Sequence, residues 1–326
     1  MRRLGKILVV ALAVLAAAFL LGPSPDTAGT MTFDASTLGT DLDAHLAESE
    51  AAFGDIREGL HKEILWADPA TKAKTPVSIV YLHGYSASRV EIDPVPQQVA
   101  QAFGANLYYT RLSGHGRSGD AMAEAKLTDW FDDTAEALEI GKRLGDKVLV
   151  LSVSTGGTLA TWAASQPELA AKMDGLVMIS PNYAVHGAPI WLLNMPWGET
   201  LLPLILGAER SWEPRNQGQA HGWTTRYPSK AVFPMGALLK VVSGIDPASL
   251  DIPALFIFSM QDKVVVPERS AEVAKAWGAP AEVINIDSTD DENNHVIAGD
   301  ILSPGTTQTV SDAIIKWAKS LFNQSA

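Results

Sequence analysis

The sequence predicts an α/β fold in which helices cover both faces of a mostly parallel sheet. Between residues 77 and 181, short apolar runs rich in β-branched residues alternate with helix-like segments. The alternation stops for a long stretch and resumes at residue 253. Parallel strands must be joined by long crossover connections, which are usually helical, so this alternation predicts a parallel sheet.

Each expected element has its own signal in the sequence. Strands are predicted where apolar and aromatic residues cluster between turn residues, at 63–66, 77–83, 106–111, 147–153, 174–180, 253–259 and 281–287. Helices are predicted around 94–103, 127–144, 156–166 and 307–322, and a charged segment at 42–62 is also helix-like. The helix predicted at 307–322 repeats apolar residues at helical spacing, which indicates a packing face.

A serine lies at the end of the strand predicted at 147–153. Ser154 follows that apolar run directly, Gly156 and Gly157 come next, and a helix-like segment begins there. A strand, a sharp turn and a helix with serine at the turn form the pattern of a nucleophile elbow. Ser152 stands where this pattern usually has its first glycine. We therefore predict that Ser154 is a nucleophile.

An acid and a base follow this serine in the order that an elbow requires. A serine hydroxyl needs a neighbouring base, and the base needs a group that orients it. Asp262 comes just after the strand predicted at 253–259, and His295 comes after the strand predicted at 281–287. Since the carboxyl ends of parallel strands share one edge of the sheet, Ser154, Asp262 and His295 are predicted to form a catalytic triad.

Two loops extend the pattern to a known family. One is His83-Gly84-Tyr85-Ser86, and the other is Gly114-His115-Gly116. With the elbow, they make the chain resemble the α/β-hydrolases, closest in pattern to the monoacylglycerol lipase, lysophospholipase and serine aminopeptidase-like esterase branch. The resemblance spans about residues 63–318. It implies that the backbone N–H groups of Tyr85 and Thr155 form the oxyanion hole.

The same resemblance implies a role for the residues that interrupt the alternation. In such enzymes an insertion at this place is a lid over the active site, so a helical lid is expected at about 182–250, after the sixth strand. The segment holds four of the nine tryptophans. They would line an apolar cavity, or would only pack a small helical subdomain. The four are Trp191, Trp197, Trp212 and Trp223.

The function that these observations imply is hydrolysis of carboxylic esters through an acyl-enzyme. The expected substrate is a monoglyceride, a lysophospholipid or a small ester, and no cofactor or metal is expected. Two alternatives stay open, namely a peptidase or amidase of the same fold and a catalytically silent binding protein. Dehalogenases and epoxide hydrolases need an aspartate at the elbow, where this chain has Ser154.

Other motifs are interpreted as structural. Residues 114–119 fit Gly-x-Gly-x-x-Gly, but no helix opens there and the next predicted strand ends in serine rather than an acid, so no dinucleotide site is expected. Ser86 lacks a following helix, and His115 precedes the elbow. The acidic segment 287–294 lacks the ligand spacing of a calcium loop and is expected to be a solvated loop that presents His295.

Composition excludes several classes of function. The chain has 326 residues, a formal net charge of −12 and no cysteine. Nucleic-acid binding needs a basic surface, so it is not expected. Disulfides, thiolate metal sites and cysteine lipidation are excluded as well. The length suits one large hydrolase domain, predicted at 42–326 with its insertion. The oligomeric state is not predicted.

The N-terminus has the pattern of a targeting segment. Arg2, Arg3 and Lys6 precede an apolar run at 7–21, which is short for a transmembrane helix. Residues 1–25 are therefore predicted to be a signal peptide or an N-terminal membrane anchor, and residues 26–41 a linker. Either form implies export, with the catalytic domain periplasmic, secreted or anchored outside the cytoplasm.

Overall fold

The computed structural model describes residues 2–323. The strands are β1 (Glu63–Leu65), β2 (Thr75–Leu82), β3 (Asn106–Tyr109), β4 (Gly145–Val153), β5 (Gly175–Ile179), β6 (Glu209–Ser211), β7 (Arg226–Pro228), β8 (Ala254–Phe258) and β9 (Ala281–Asn285). The helices are α1 (Arg2–Leu20), α2 (Leu42–Ala51), α3 (Val95–Phe103), α4 (Gly119–Met122), α5 (Leu127–Leu144), α6 (Thr155–Ala164), α7 (Pro167–Ala170), α8 (Ile190–Leu193), α9 (Gly198–Leu206), α10 (Gln217–Gly222), α11 (Phe233–Val242), α12 (Pro267–Ala276) and α13 (Pro304–Asn323). Each strand that the sequence predicts is present.

The central sheet has seven strands in the order β1-β3-β2-β4-β5-β8-β9. Only β1 runs antiparallel, against β3, and the remaining pairs are parallel. The predicted α/β fold with a mostly parallel sheet is therefore confirmed. The order places β4 in the middle, so the residues that follow β4 lie between the ends of β2 and β5.

Apolar side chains project from both faces of the sheet, as expected for a sheet with helices on each side. On β2, Val80 and Leu82 belong to the core under α5 and α6, whereas Ile79 and Tyr81 belong to the core under α3 and α13. All four side chains are at most 1% exposed. The alternation along one strand thus holds a helical layer against each face.

The insertion between β5 and β8 differs from the expected lid in two ways. It follows the fifth strand of the sheet in chain order rather than the sixth, because β1 is the only strand that precedes β2 in the described residues. It is also not purely helical, because α8 to α11 are joined by a two-stranded antiparallel sheet of β6 and β7.

The N-terminal part begins with an exposed helix. The C-terminal end of α1 meets the insertion, where the Trp197 indole N–H donates to the carbonyl of Ala18 over 3.1 Å. Of the helices within residues 2–323, none combines the length and apolar character that a membrane crossing requires. Met1 lies outside the described residues, and the expected leader at 1–25 stays a prediction.

Helix α2 ends at Ala51, which is earlier than the predicted end at residue 62. The following residues form turns, in which Gly59 has a φ of 73° that favours glycine. The helix is attached to the sheet through a buried ion pair. Glu50 accepts three hydrogen bonds from the Arg111 guanidinium, at 3.2 Å, 2.9 Å and 2.6 Å, and both residues are at most 6% exposed.

Burial and the neighbouring charged groups determine the pKa of Glu50. Burial raises the pKa of this carboxyl, but the hydrogen bond and charge of Arg111, together with the N–H and charge of Lys62, outweigh burial, so the pKa is lower than its ordinary value. A lowered folded-state pKa means that the carboxylate stabilises the fold above its unfolded pKa. That contribution is lost as the pH falls through the folded-state pKa.

Glu50→Ala is expected to lower the free energy of unfolding by about 3–5 kcal/mol near neutral pH, because it leaves Arg111 buried without its partner. Urea denaturation followed by circular dichroism measures this change. Glu272→Ala is the matched control, since its pair with Arg269 is exposed on both sides and is expected to change stability by under about 1 kcal/mol. Equal losses in the two variants would contradict the argument.

Candidate active site

Ser154 lies in the sharp turn between β4 and α6. Its φ of 51° and ψ of −115° are unusual for a residue with a side chain, and such strain is typical of functional positions. The turn is fixed by its backbone. The Ser154 N–H donates to the carbonyl of Ile179 at 2.9 Å, and the Ser154 carbonyl accepts from Gly157 at 2.9 Å. The serine is thereby held at the carboxyl end of β4.

Small residues beside the turn are required by close backbone contacts. A Cβ on Gly156 would lie 2.2 Å from the carbonyl oxygen of Leu82, so no side chain fits there. Ser152 replaces the usual glycine of the pattern without conflict. Its side chain is fully buried, and its hydroxyl donates to the carbonyl of Val177 at 2.9 Å.

The structure brings Ser154, His295 and Asp262 together. The Nε2 atom of His295 lies 3.1 Å from the Oγ of Ser154. The Nδ1 atom of the same ring lies 2.7 Å from Oδ2 of Asp262. Because an ionised carboxylate can only accept, Nδ1 carries the proton and Nε2 is free to accept from the serine. These are the contacts that a nucleophile, a base and an orienting acid require.

The backbone around Asp262 and His295 is held by further hydrogen bonds. Oδ1 of Asp262 accepts from the N–H groups of Val264 and Val265, at 2.7 Å and 2.9 Å. Oδ2 of Asp291 accepts from the N–H groups of His295 and Val296, at 2.9 Å and 3.0 Å. Both carboxylates therefore fix the loops that present the proposed acid and base.

Most residues of the loop at 287–294 are exposed, as expected, but Asp291 departs from the expectation of a solvated loop. Asp291 is only 3% exposed, and its Oδ1 also accepts from Arg215 of the insertion at 2.7 Å. Nothing in the sequence around Asp291, four residues before His295, indicates that its side chain is buried. The segment presents His295 as expected, but it does so through a buried carboxylate.

The surroundings of His295 favour its protonated form. Burial lowers the pKa of the imidazole, but attraction by Asp262 and the hydrogen bond to it raise the pKa by more, with smaller contributions from Glu91 and Asp291. The net pKa is higher than the ordinary histidine value. A base of this kind can accept a proton and hold the resulting charge.

Two backbone N–H groups are available near the serine. Thr155 is the first residue of α6, so its N–H has no acceptor within the helix. In the described chain, the N–H of Tyr85 donates to no protein group. The peptide plane of Tyr85 is fixed by His83, whose Nδ1 lies 2.9 Å from the carbonyl of Gly84. Leu112 donates to Nε2 of the same ring, which leaves the proton on Nδ1.

A cavity of about 650 Å³ opens above Ser154 and His295. Its walls include Trp212 and Trp223 of the insertion together with aliphatic residues, and also charged side chains such as those of Arg210, Glu213 and Arg215. The other two tryptophans of the insertion do not line it. Trp191 is 68% exposed and Trp197 is 39% exposed. The insertion therefore contributes two tryptophans to the cavity wall and exposes the other two to solvent.

The sequence is similar to that of known proteins. The family profile described as "Serine aminopeptidase, S33" matches residues 73–231. A thermostable monoacylglycerol lipase from Bacillus sp. (strain H-257) is 28% identical over 205 residues, which cover 62% of this chain and 76% of the lipase. The chain has the α/β-hydrolase fold.

Solved structures agree with this α/β-hydrolase fold. One structure of the metagenome-derived lipolytic enzymes LipS and LipT matches with a TM-score of 0.66 at 19% identity, and the match covers 81% of this chain and 99% of that one. A soluble variant of monoglyceride lipase from Saccharomyces cerevisiae matches with a TM-score of 0.61 at 14% identity, over 80% and 91% of the two chains.

The remaining motifs of the chain lie where structural roles explain them. Gly114 and Gly116 have φ values of 82° and 69°, which a tight loop requires. His115 is fully buried among aromatic rings rather than beside Ser154. Ser86 lines the cavity but does not begin a helix. Among the described residues, no group of three or more His, Cys, Asp or Glu side chains is arranged to hold a metal ion.

Gly156→Ala is expected to lower the free energy of unfolding by about 1–3 kcal/mol, because the added methyl group would overlap the Leu82 carbonyl. Helix propensity alone predicts the opposite sign, a gain of about 1 kcal/mol. Urea denaturation distinguishes the two. Gly54→Ala is the control, since its Cβ would meet nothing within 4 Å. A Gly156→Ala protein as stable as the unchanged chain would contradict the close contact.

Proposed function

We propose that this α/β-hydrolase is a serine carboxylester hydrolase that works through an acyl-enzyme at Ser154. The observation that carries the proposal is the chain of contacts from Ser154 through His295 to Asp262. The similarity to a monoacylglycerol lipase supports lipase and esterase chemistry. Two hydrogen bonds of the right length and order, ending on a buried carboxylate, are what activation of a serine hydroxyl requires.

In the proposed reaction, His295 removes the Ser154 proton at Nε2 as Oγ attacks the ester carbonyl carbon. The tetrahedral intermediate collapses, the bond to the alcohol oxygen breaks, and His295 returns the proton to that oxygen. A water molecule then gives a proton to His295 and attacks the acyl-enzyme, which releases the acid and regenerates Ser154. Asp262 keeps the ring in the required tautomer and stabilises the imidazolium.

The negative charge of the intermediate needs hydrogen-bond donors that are already in place. We assign this role to the N–H groups of Tyr85 and Thr155, since neither donates to a protein group within residues 2–323. Thr155 follows Ser154 directly, and Gly84, the neighbour of Tyr85, packs against Ser154. Removing one donor from an oxyanion hole typically costs about 10²–10³ in kcat. Because both donors belong to the backbone, no side-chain rotation is needed to form the hole.

The proposed substrate is an ester with an apolar acyl group, such as a monoglyceride, a lysophospholipid or a small ester. The cavity volume of about 650 Å³ falls in the range of small-molecule sites. Aliphatic walls from Leu192, Leu193 and Leu202 suit an acyl chain. We propose that the insertion, at about 182–250, acts as the lid of this cavity.

We also propose that the chain is exported. The basic residues Arg2, Arg3 and Lys6 lie in the first turns of α1, and the apolar residues Leu15 and Leu20 later in this helix are 65% and 71% exposed. Apolar side chains in water are unfavourable, which supports a signal peptide or an anchor at residues 1–25. The proposed linker is 26–41, and the proposed catalytic domain, 42–326, then lies outside the cytoplasm.

Ser154→Ala is expected to reduce turnover of a short p-nitrophenyl ester to no more than about 10³–10⁴-fold above the uncatalysed rate, while the circular dichroism spectrum stays unchanged. The reason is that, within residues 2–323, Ser154 is the hydroxyl that contacts the imidazole of His295. Ser86→Ala is the matched control, because this serine also lines the cavity but has no such contact. Undiminished turnover in Ser154→Ala would defeat the assignment, and a wild-type protein without turnover would favour the silent binding protein.

For a panel of p-nitrophenyl esters of increasing chain length, kcat/KM is expected to rise with each added methylene until the cavity is filled. The reason is that burying one methylene group contributes about 0.8 kcal/mol of favourable free energy. Aminoacyl anilides test the second candidate, a peptidase or amidase, which the "Serine aminopeptidase" description favours. Faster cleavage of anilides than of every ester in the panel would replace the esterase assignment.

A further inference from the structure

A buried carboxylate beside the proposed active site has no part in the reaction described above. Glu91 lies in the loop between β2 and α3, is only 2% exposed, and lines the cavity with Ser154 and His295. Its Oε2 accepts from the N–H of Gly84 at 2.7 Å and from the hydroxyl of Tyr81 at 3.2 Å. A buried acid is costly unless such partners satisfy it.

The carboxylate and the nucleophile both border the space that a side chain of Gly84 would occupy. A Cβ on Gly84 would lie 2.7 Å from Oε1 of Glu91 and 3.2 Å from the Cβ of Ser154. A side chain at position 84 would therefore overlap the carboxylate and crowd the serine. Glu91 and Ser154 thus both contact the same short stretch of backbone, and this stretch leads into the proposed oxyanion donor.

Gly84 is held at both of its polar atoms. Glu91 accepts from its N–H, and Nδ1–H of His83 donates to its carbonyl at 2.9 Å. That carbonyl and the N–H of Tyr85 belong to the same planar trans peptide, so they point in opposite directions. Fixing Gly84 at both atoms therefore fixes the direction of the Tyr85 N–H, on which oxyanion stabilisation depends.

The charge of Glu91 also acts on the proposed base. Burial raises the pKa of Glu91 to about 7, against the lowering effects of the Gly84 N–H, His295 and Tyr81. The groups that raise the pKa of His295 are Asp262 first, then Glu91 and Asp291. Tyr81 faces Glu91 as a neutral hydroxyl, because burial raises its own pKa. Glu91 is thus a second acid acting on the imidazole, from the side of the oxyanion loop.

We propose that Glu91 is a positioning residue for ester hydrolysis, which orients the Tyr85 N–H through Gly84 and stabilises the protonated form of His295 by its charge. The inference rests on the proposed function. The two effects use different properties of the side chain. The first needs an acceptor oxygen at Oε2, and the second needs a negative charge.

Two substitutions separate these effects. Glu91→Gln keeps an oxygen for the Gly84 N–H but removes the charge, so the acid limb of the pH profile of kcat/KM is expected to move down by about 0.5–1 pH unit, with kcat on the plateau within about threefold of wild type. The limb moves down because His295 must be neutral to act, and a less stabilised imidazolium loses its proton at lower pH. Glu91→Ala also removes the acceptor, and kcat is expected to fall by about 10–100-fold with little change in KM.

Controls distinguish this role from a purely structural one. Asp93→Asn removes another largely buried carboxyl of the same loop, which accepts from Tyr109 at 2.6 Å and does not line the cavity. It is expected to leave the acid limb in place. Titration of reactive serine with a fluorophosphonate corrects each kcat for unfolded protein, and Glu91→Gln keeps the test valid if Glu91→Ala does not fold.

An unmoved acid limb in Glu91→Gln, or an unchanged corrected kcat in a folded Glu91→Ala, would overturn the proposal. These results differ from a failure of the proposed function. Undiminished turnover in Ser154→Ala would contradict the proposed reaction, whatever the effect of substituting Glu91. Turnover that depends on Ser154 together with an unmoved limb would remove only the role of Glu91.

Discussion

The first turn of α6 packs directly against the end of β2, and the arrangement of the whole site depends on this contact. Gly156 meets the Leu82 carbonyl so closely that no side chain fits between them. Ser154 follows β4, while Gly84 and Tyr85 follow β2. The contact therefore sets the distance between the strained serine and the loop that carries the proposed oxyanion donor. Because β4 lies between β2 and β5, the neighbouring strands support the turn from both sides.

Charge around the imidazole is organised by backbone N–H groups rather than by solvent. Asp262 and Asp291 each accept two hydrogen bonds from main-chain N–H groups, and Glu91 accepts one from Gly84. Such bonds keep buried carboxylates satisfied in a place where isolated charges would be costly. The carboxylates then hold the loops and at the same time attract the proton of His295. The same three carboxylates thus fix the positions of the loops and raise the basicity of His295.

The sequence is sufficient to predict the sheet and the meeting of the side chains of Ser154, His295 and Asp262. Each of those residues follows a strand whose apolar run is readable by itself, and the order along the chain restricts their roles. Burial of polar residues is harder to predict. Asp291 and Glu91 sit in polar segments, and what makes them buried is the packing of elements distant in sequence, such as Arg215 of the insertion. The directions of Trp191 and Trp197 depend on tertiary packing for the same reason.

The central claim is that His295 and Asp262 activate Ser154, and it is tested most directly by labelling the protein with a fluorophosphonate and mapping the adduct by peptide mass spectrometry. We expect one modified peptide, the one that contains Ser154, and labelling at least about 10³-fold slower in a folded His295→Ala protein. An adduct at Ser86, no adduct at all, or equally fast labelling without the imidazole would contradict it.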